Sequence, residues 1–174
     1  MKGLRTALCL VVILVAATGF AQKITTDWDQ GADFTKYKTY AYAKGTPVED
    51  PLMDQRVVEA IEAALEKEGI KKVDTDPDMY VTYHASAKEN KQYVTDNFGY
   101  GYGARWGGGM GTSTTRAYTY EKGTIVIDFW SADGKQLLFR GSGTDTISDK
   151  PDKNIKKIHK VVEKVFAKYP PKSN

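Results

Sequence analysis

The stretch Thr124-Ile-Val-Ile-Asp-Phe-Trp130 has the clearest strand pattern in this chain of 174 residues. Ile125, Ile127 and Phe129 occupy every second position, as expected when successive side chains point to opposite faces of a sheet. The turn residues Ala132-Asp-Gly-Lys135 follow, and glycine tolerates the positive φ that a tight hairpin needs. We therefore predict that residues 136–146 return as the antiparallel partner strand.

Three weaker strand patterns lie upstream of this hairpin. The predicted strands are Gln22–Trp28, Lys38–Ala43 and Met79 to about Ala87, and a turn around Asp29–Lys36 joins the first two. In the third strand, apolar and polar side chains alternate, and the polarity then rises toward Tyr93 and Val94. This strand is therefore expected to run out into solvent at its end.

Two amphipathic helices complete the predicted elements. The first begins with Asp50 as N-cap and Pro51 at the first helical position, and it ends at Gly69. The second runs from about Pro151 to Tyr169 with an apolar stripe at helical spacing. The order β-β-α-β-β-β-α shows no regular βαβ alternation. It predicts an α+β fold, in which two helices pack on one face of an antiparallel-rich sheet of about five strands.

The N-terminus has the composition of an export signal. Lys2 and Arg5 precede an apolar run that is about half as long as a membrane-spanning helix. Small residues follow, so we predict a signal peptide over residues 1–21, cleaved between Ala21 and Gln22. Cys9 lies inside the apolar run, so it does not form a lipobox. Residues 22–174 are expected to form a single α+β domain without a membrane span, located in the periplasm or outside the cell.

The stretch Asn97–Thr115 is unusually rich in glycine and aromatic residues. Dense glycine disfavours an ordered helix or strand because glycine loses more backbone entropy on folding than other residues. We predict a loop over residues 97–115, and its aromatic residues and arginine are the candidate residues for binding a ligand or partner: Phe98, Tyr100, Tyr102, Arg105 and Trp106. They could bind a glycan or another envelope protein. The alternative is a connection between strands without a binding role.

The chain lacks the common signatures of catalytic and cofactor sites. No dinucleotide fingerprint, phosphate loop or H-E-x-x-H zinc motif occurs in it. Asp27, Asp29 and Asp33 depart from the spacing of a calcium loop and are better explained as turn residues. We therefore predict a non-enzymatic protein without a metal or cofactor. A hydrolase that uses His84 is the catalytic alternative.

Charge suggests one further contact. The formal net charge of +3 gives no reason to expect a nucleic-acid partner. The second predicted helix is rich in lysine and could make weak contact with an anionic surface, to which each lysine adds about 1 kcal/mol. Its lysines are Lys153, Lys156, Lys157, Lys160, Lys164 and Lys168.

Several motifs, in their order along the chain, resemble a known bacterial family. They are Asp33-Phe34-x-x-Tyr37-Lys38-Thr39-Tyr40, Asp76-Pro77-Asp78-Met79-Tyr80-Val81, the glycine-aromatic insert, Glu121-x-Gly123-Thr124-Ile125-Val126, Leu138-Phe139-Arg140-Gly141 and the terminal Tyr169-Pro170-Pro171. Together they resemble the bacterial domain-of-unknown-function family four-one-three-six, whose members are mostly exported envelope proteins, often lipid-anchored. The resemblance implies an α+β fold and no established activity, and it transfers no catalytic residues.

One main hypothesis and one rival follow. We expect an exported cell-envelope protein that acts as a binding or scaffold module and contacts its partner through the glycine-aromatic loop. The rival is a structural envelope protein that associates with further copies of itself through its sheet or a sheet edge.

Overall fold

The fold is taken from a computed structural model that describes residues 22–98, 112–133 and 135–171. The described strands and helices, in chain order, are β1 (Lys23–Trp28), a short 3₁₀ helix (Phe34–Lys36), β2 (Thr39–Tyr42), α1 (Pro51–Lys67), β3 (Lys71–Lys72), β4 (Met79–Phe98), β5 (Thr112–Ser131), β6 (Leu137–Thr146) and α2 (Pro151–Phe166).

The strands form one sheet in the order β1-β6-β5-β4-β2-β3. β2 runs parallel to β4 and β3, whereas the pairs β1–β6, β6–β5 and β5–β4 are antiparallel. The prediction of an antiparallel-rich α+β fold is therefore confirmed. The described sheet has six strands rather than about five, because Lys71 and Lys72 form a short exposed edge strand that no apolar pattern announces.

The first two strands are not neighbours, although only a short segment joins them. β1 pairs with β6, so that Thr26 lies opposite Gly141, while β2 pairs with β4, so that Tyr40 lies opposite Met79. The connection between them therefore passes the ends of three strands. Phe34 in this connection packs edge-on against Tyr169, with 5.6 Å between the ring centroids.

Both helices cover the same face of the sheet. Asp50 caps α1 as predicted, since its side chain accepts hydrogen bonds from the backbone N–H groups of Leu52 and Met53. The side chains that fill the space between the helices and the sheet are buried, and the largest include Ile61, Leu65, Ile127, Phe129, Phe139 and Val162. This layer is the hydrophobic core.

The second helix is shorter than predicted. α2 ends at Phe166, and the chain then turns so that Tyr169 leaves the helical path. The Tyr169 ring packs edge-on against Phe129 and Phe139, at centroid distances of 5.0 and 5.3 Å. Burial of the Tyr169 ring stabilises the fold more than one further turn of helix before Pro170 and Pro171 would.

The central hairpin is much longer than predicted. β4 and β5 are 20 residues each, so Asn97, Phe98 and residues 112–115 belong to strands and not to the predicted loop. The rest of that predicted loop, residues 99–111, lies outside the described residues. In the described parts of the chain, no helix is both long and apolar enough to cross a membrane.

Candidate functional site: the β4–β5 arm

Beyond the helix-covered sheet, β4 and β5 continue as a two-stranded arm, formed by residues 88–98 and 112–122. The last pair between β5 and β6 is Lys122 with Thr146. The backbone N–H of Ile147 still donates to the carbonyl oxygen of Glu121. Apart from this contact, the ten pairs from Glu89↔Glu121 to Phe98↔Thr112 have no third strand beside them among the described residues. At about 3.4 Å per residue, these pairs extend roughly 34 Å past the sheet.

The arm exposes large apolar side chains. Tyr93 is 67% exposed, Tyr118 is 51% exposed and Val94 is 36% exposed. Strand alternation places Val94 and Tyr118 on one face of the arm and Tyr93 on the other. Exposed aromatic and aliphatic groups concentrated on one projecting element are typical of an interaction surface.

The base of the arm brings like charges together. Lys88 lies directly opposite Lys122, and Glu89 lies directly opposite Glu121. Like charges that face each other across two strands are destabilising. Alternation puts the lysines on the face away from the helices and the glutamates on the helix side, and the Lys122 ammonium lies 5.5 Å from the centroid of the Tyr120 ring. The arm therefore has a basic, aromatic face and an acidic face at its base.

Such an arm has few stabilising contacts of its own. Within its described part, the hydroxyl groups of Thr95 and Thr115 lie 3.1 Å apart and form a cross-strand hydrogen bond. A two-stranded ribbon is at best marginally stable in water, and both of its edges offer unpaired backbone N–H and C=O groups. The arm therefore has unpaired backbone groups along both edges and little support from the rest of the domain.

Only one of the five candidate binding residues lies within the described residues. Phe98 is the last residue of β4 and pairs with Thr112. The other four candidates, Tyr100, Tyr102, Arg105 and Trp106, lie outside the described residues. The structure adds Tyr93, Val94, Arg116, Tyr118 and Tyr120 as arm residues. Threonine and tyrosine favour strands and are frequent over residues 112–120. This composition could have predicted the strand that holds Arg116, Tyr118 and Tyr120.

Two contacts hold the N-terminal part of β4 against the rest of the domain. The Asp78 carboxylate accepts hydrogen bonds from the backbone N–H groups of Lys38 and Thr39, at 2.9 and 2.8 Å, and these bonds lower the pKa of Asp78. The Tyr83 hydroxyl donates to the Asp54 carboxylate of α1, at 2.9 Å. Burial and this hydrogen bond raise the pKa of Tyr83 to about 12.

His84 lies on the sheet face that the helices leave open. It is exposed, and its Nδ1 atom is 3.0 Å from the hydroxyl oxygen of Thr46. A shallow groove of about 270 Å³ passes His84, Tyr80 and Trp130. Across the parts of the chain that the structure describes, no three histidine, cysteine or acidic side chains cluster closely enough to hold a metal ion. Asp29 and Asp33 instead accept hydrogen bonds from backbone N–H groups two residues further on, as predicted for turn residues.

The lysine-rich face of α2 is largely free to contact other molecules. Four of its five lysines are exposed, and so is Lys168 just beyond the end of the helix. The exception is Lys157, whose ammonium group donates to the carbonyl oxygen of Thr146 and lies 3.7 Å from the Asp145 carboxylate. Lys157 therefore contributes to the internal structure rather than to the basic surface.

Comparisons with known proteins agree with the fold described above. The sequence profile of the family described as Domain of unknown function (DUF4136) matches residues 24–171. Comparison with curated protein sequences finds no significant match.

Two solved structures share the fold at low sequence identity. A PDZ domain protein from Parabacteroides distasonis superposes with a TM-score of 0.58 at 13% identity, over 88% of this chain but only 37% of that longer one. A PelC dodecamer from Paraburkholderia phytofirmans superposes with a TM-score of 0.51 at 10% identity, over 84% of this chain and 96% of that one. At such identities the likeness concerns the fold alone.

Proposed function

Since the chain belongs to the family described as Domain of unknown function (DUF4136), whose name assigns no activity, we propose a function from the geometry. The protein is a non-enzymatic, exported envelope protein that binds a partner along its β4–β5 arm. The observation that carries this proposal is the length of the arm, which has ten strand pairs beyond the rest of the sheet and exposes Tyr93 and Tyr118.

The chemistry of the arm favours a protein partner over a glycan. Tyr118 and Tyr120 lie on the same face as Arg116 and Lys122, so this face offers stacking surfaces next to positive charge. Both edges of the arm also present backbone groups that can pair with an added strand. A glycan would use the tyrosine rings but would leave most of these backbone groups unpaired.

Association with further copies of the same chain is the second candidate function. The observation that favours it is the fold that the domain shares with a protein that forms a dodecamer. Pairing of one arm edge with the arm of another copy would cover the same exposed groups. A chain that remains monomeric in sedimentation over a wide concentration range would contradict this candidate.

Export through a cleaved signal peptide over residues 1–21 is part of the proposal. It predicts that the protein recovered from the periplasm or the medium begins at Gln22, which N-terminal sequencing measures. The exposed lysines of α2 would then permit weak contact with an anionic envelope surface.

An arm-less variant tests the proposed function. Because Lys88 and Lys122 are paired, an Asn-Gly turn can join them in place of residues 89–121 and leave the core residues unchanged. Cross-linking in cells, followed by mass spectrometry, is then compared for the intact chain, the arm-less variant and Leu52→Ser. The last is a matched control, since Leu52 is 63% exposed on α1.

The proposal predicts that the intact chain and Leu52→Ser give the same cross-linked species and that the arm-less variant, still folded by circular dichroism, does not. Adducts that persist without the arm would contradict it. Adducts that contain only this chain would support the second candidate.

A further inference from the structure

A cavity of about 510 Å³ lies on the helix side of the sheet, at the end where the arm begins. Met53 and Val57 of α1 line it, as do Ile158 and Val161 of α2, while strands β4 to β6 form its floor. This volume lies within the range of roughly 300–1,000 Å³ that is typical of small-molecule sites. The cavity shares only Glu121, at the base of the arm, with the surface in the arm-binding proposal.

The cavity arises because the side chains of the sheet become smaller toward the arm. At the other end of the helix-covered face, Met79 and Phe129 are fully buried and fill the space under the helices. Further along the same strands, Ala85, Ala87 and Gly123 take the corresponding positions and line the cavity. Protein interiors are normally close-packed, so this run of small residues leaves space that the chain does not fill itself.

The rim of the cavity is polar and has an excess of negative charge. Three carboxylates, from Glu49, Glu121 and Asp145, line it together with the single ammonium group of Lys157. Lys157 is held by Thr146 and Asp145. The rim therefore has two more negative than positive side chains.

Of the remaining polar groups at the rim, one forms hydrogen bonds with the backbone and two form no ion pair. The Asn154 side chain bonds with the backbone N–H and carbonyl groups of Ser148, at 2.8 and 2.7 Å. By contrast, Glu49 and Glu121 are exposed and form no ion pair among the described residues. The strand partner of Glu121 is a further acid, Glu89. The local field at this side of the mouth therefore attracts cations and repels anions.

We propose that this cavity binds a small amphipathic cation, with an aliphatic chain in the apolar interior and an ammonium group at the rim near Glu49 and Glu121. The apolar lining excludes a strongly hydrated ion such as a free inorganic cation, because such an ion would lose its water shell without compensation. The acidic rim excludes a fatty acid of the same length, whose carboxylate would meet like charge.

Calorimetric titration of the full chain with decylammonium and with decanoate, both below their micelle concentrations, tests this proposal. The two probes share the aliphatic chain and differ in the sign of the head group. Decylammonium is expected to bind saturably at one site, about tenfold more tightly than decanoate, because the rim attracts one head group and repels the other. Equal affinities, or no saturable binding of decylammonium, would overturn the proposal.

Two kinds of variant localise the binding. Glu49→Gln and Glu121→Gln are each expected to weaken decylammonium binding by about threefold, whereas Glu163→Gln, on the exposed side of α2, should not. Ala85→Leu fills the interior and should abolish binding, while Ala63→Leu on the exposed side of α1 serves as its control. Unchanged binding of decylammonium in Ala85→Leu would place the ligand elsewhere and contradict the proposal. If Ala85→Leu does not fold, unchanged binding in both glutamine variants would contradict it in the same way.

Discussion

The guanidinium group of Arg140 donates two hydrogen bonds to the carboxylate of Asp128, from Nε at 2.7 Å and from Nη2 at 2.6 Å. The two residues are directly paired between β6 and β5, on the sheet face that the helices leave open. The Asp128 side chain is only 1% exposed, whereas Arg140 is half exposed. The hydrogen bonds that Arg140 donates to Asp128 raise the pKa of Arg140, and the positive guanidinium group compensates the burial of the carboxylate.

Removal of Arg140 should therefore destabilise the domain. In Arg140→Met the Asp128 carboxylate remains buried without its partner, and we expect the free energy of unfolding to fall by about 2–4 kcal/mol. Arg140→Lys keeps the charge but loses the bidentate geometry, so its unfolding free energy should fall less than that of Arg140→Met. Urea unfolding measures both variants. An Arg140→Met protein as stable as the wild type would contradict the compensation.

Close contact between α2 and β6 leads to a second prediction. A Cβ atom added at Gly141 would lie 2.2 Å from Cγ1 of Val165, so Gly141→Ala should cost about 1–3 kcal/mol of stability. The double variant Gly141→Ala with Val165→Ala removes the clash, so its loss of stability should be smaller than the sum of the losses in the two single variants. Ser142→Ala, on the opposite face of β6, is the matched control. Thermal unfolding compares these three variants and Val165→Ala with the wild type, and additive losses in the double variant would contradict the clash.

Acid should weaken the hydrogen bonds that Asp78 accepts just before β4 begins. The backbone N–H groups of Lys38 and Thr39 lower the pKa of Asp78, so the folded state favours its ionised form. The stability gained is fully present above the unfolded pKa of about 3.9 and is lost as the pH falls through the lower folded pKa. Asp78→Asn should therefore be less stable than the wild type at neutral pH, and the difference should narrow in acid. Urea unfolding at several pH values from neutral into acid measures this gap. A difference in stability between Asp78→Asn and the wild type that stays constant with pH would contradict this role of Asp78.

Alkali should weaken the contact between β4 and α1. Burial and the hydrogen bond to Asp54 raise the pKa of Tyr83 to about 12. A raised pKa gives stability that is complete below the unfolded value, about 10, and is lost as the pH rises through the folded value. Tyr83→Phe should cost about 1–2 kcal/mol at neutral pH, with a smaller difference above pH 10. Denaturant unfolding at neutral and alkaline pH measures this difference. A cost that grows with pH would contradict the contact.

Elements with a local signature could be predicted from the sequence. Asp50 and Pro51 mark the start of α1, and the alternation around Ile127 marks the centre of β5. Each pattern reflects contacts within one helix or across one strand, so it is visible in a short window of sequence.

Long-range pairings could not be predicted in the same way. β1 pairs with β6, more than a hundred residues away along the chain, and nothing within β1 specifies this neighbour. The arm cannot be predicted beyond Val94 and before Thr124, because its described residues there are solvated on both faces and polar residues such as Thr114 and Thr115 give no apolar alternation. The cavity cannot be predicted either, since it forms where Ala85 and Gly123 lie opposite two helices that are distant in the sequence.

The most direct test of the arm as the binding element is a photo-cross-linking amino acid placed at Tyr118, compared with the same amino acid at Leu52. Both positions are exposed, but only the first lies on the arm. After irradiation of cells, we expect one discrete cross-linked species from position 118 and none from position 52. Equal cross-linking at the two positions, or none at position 118, would contradict a partner bound along the arm.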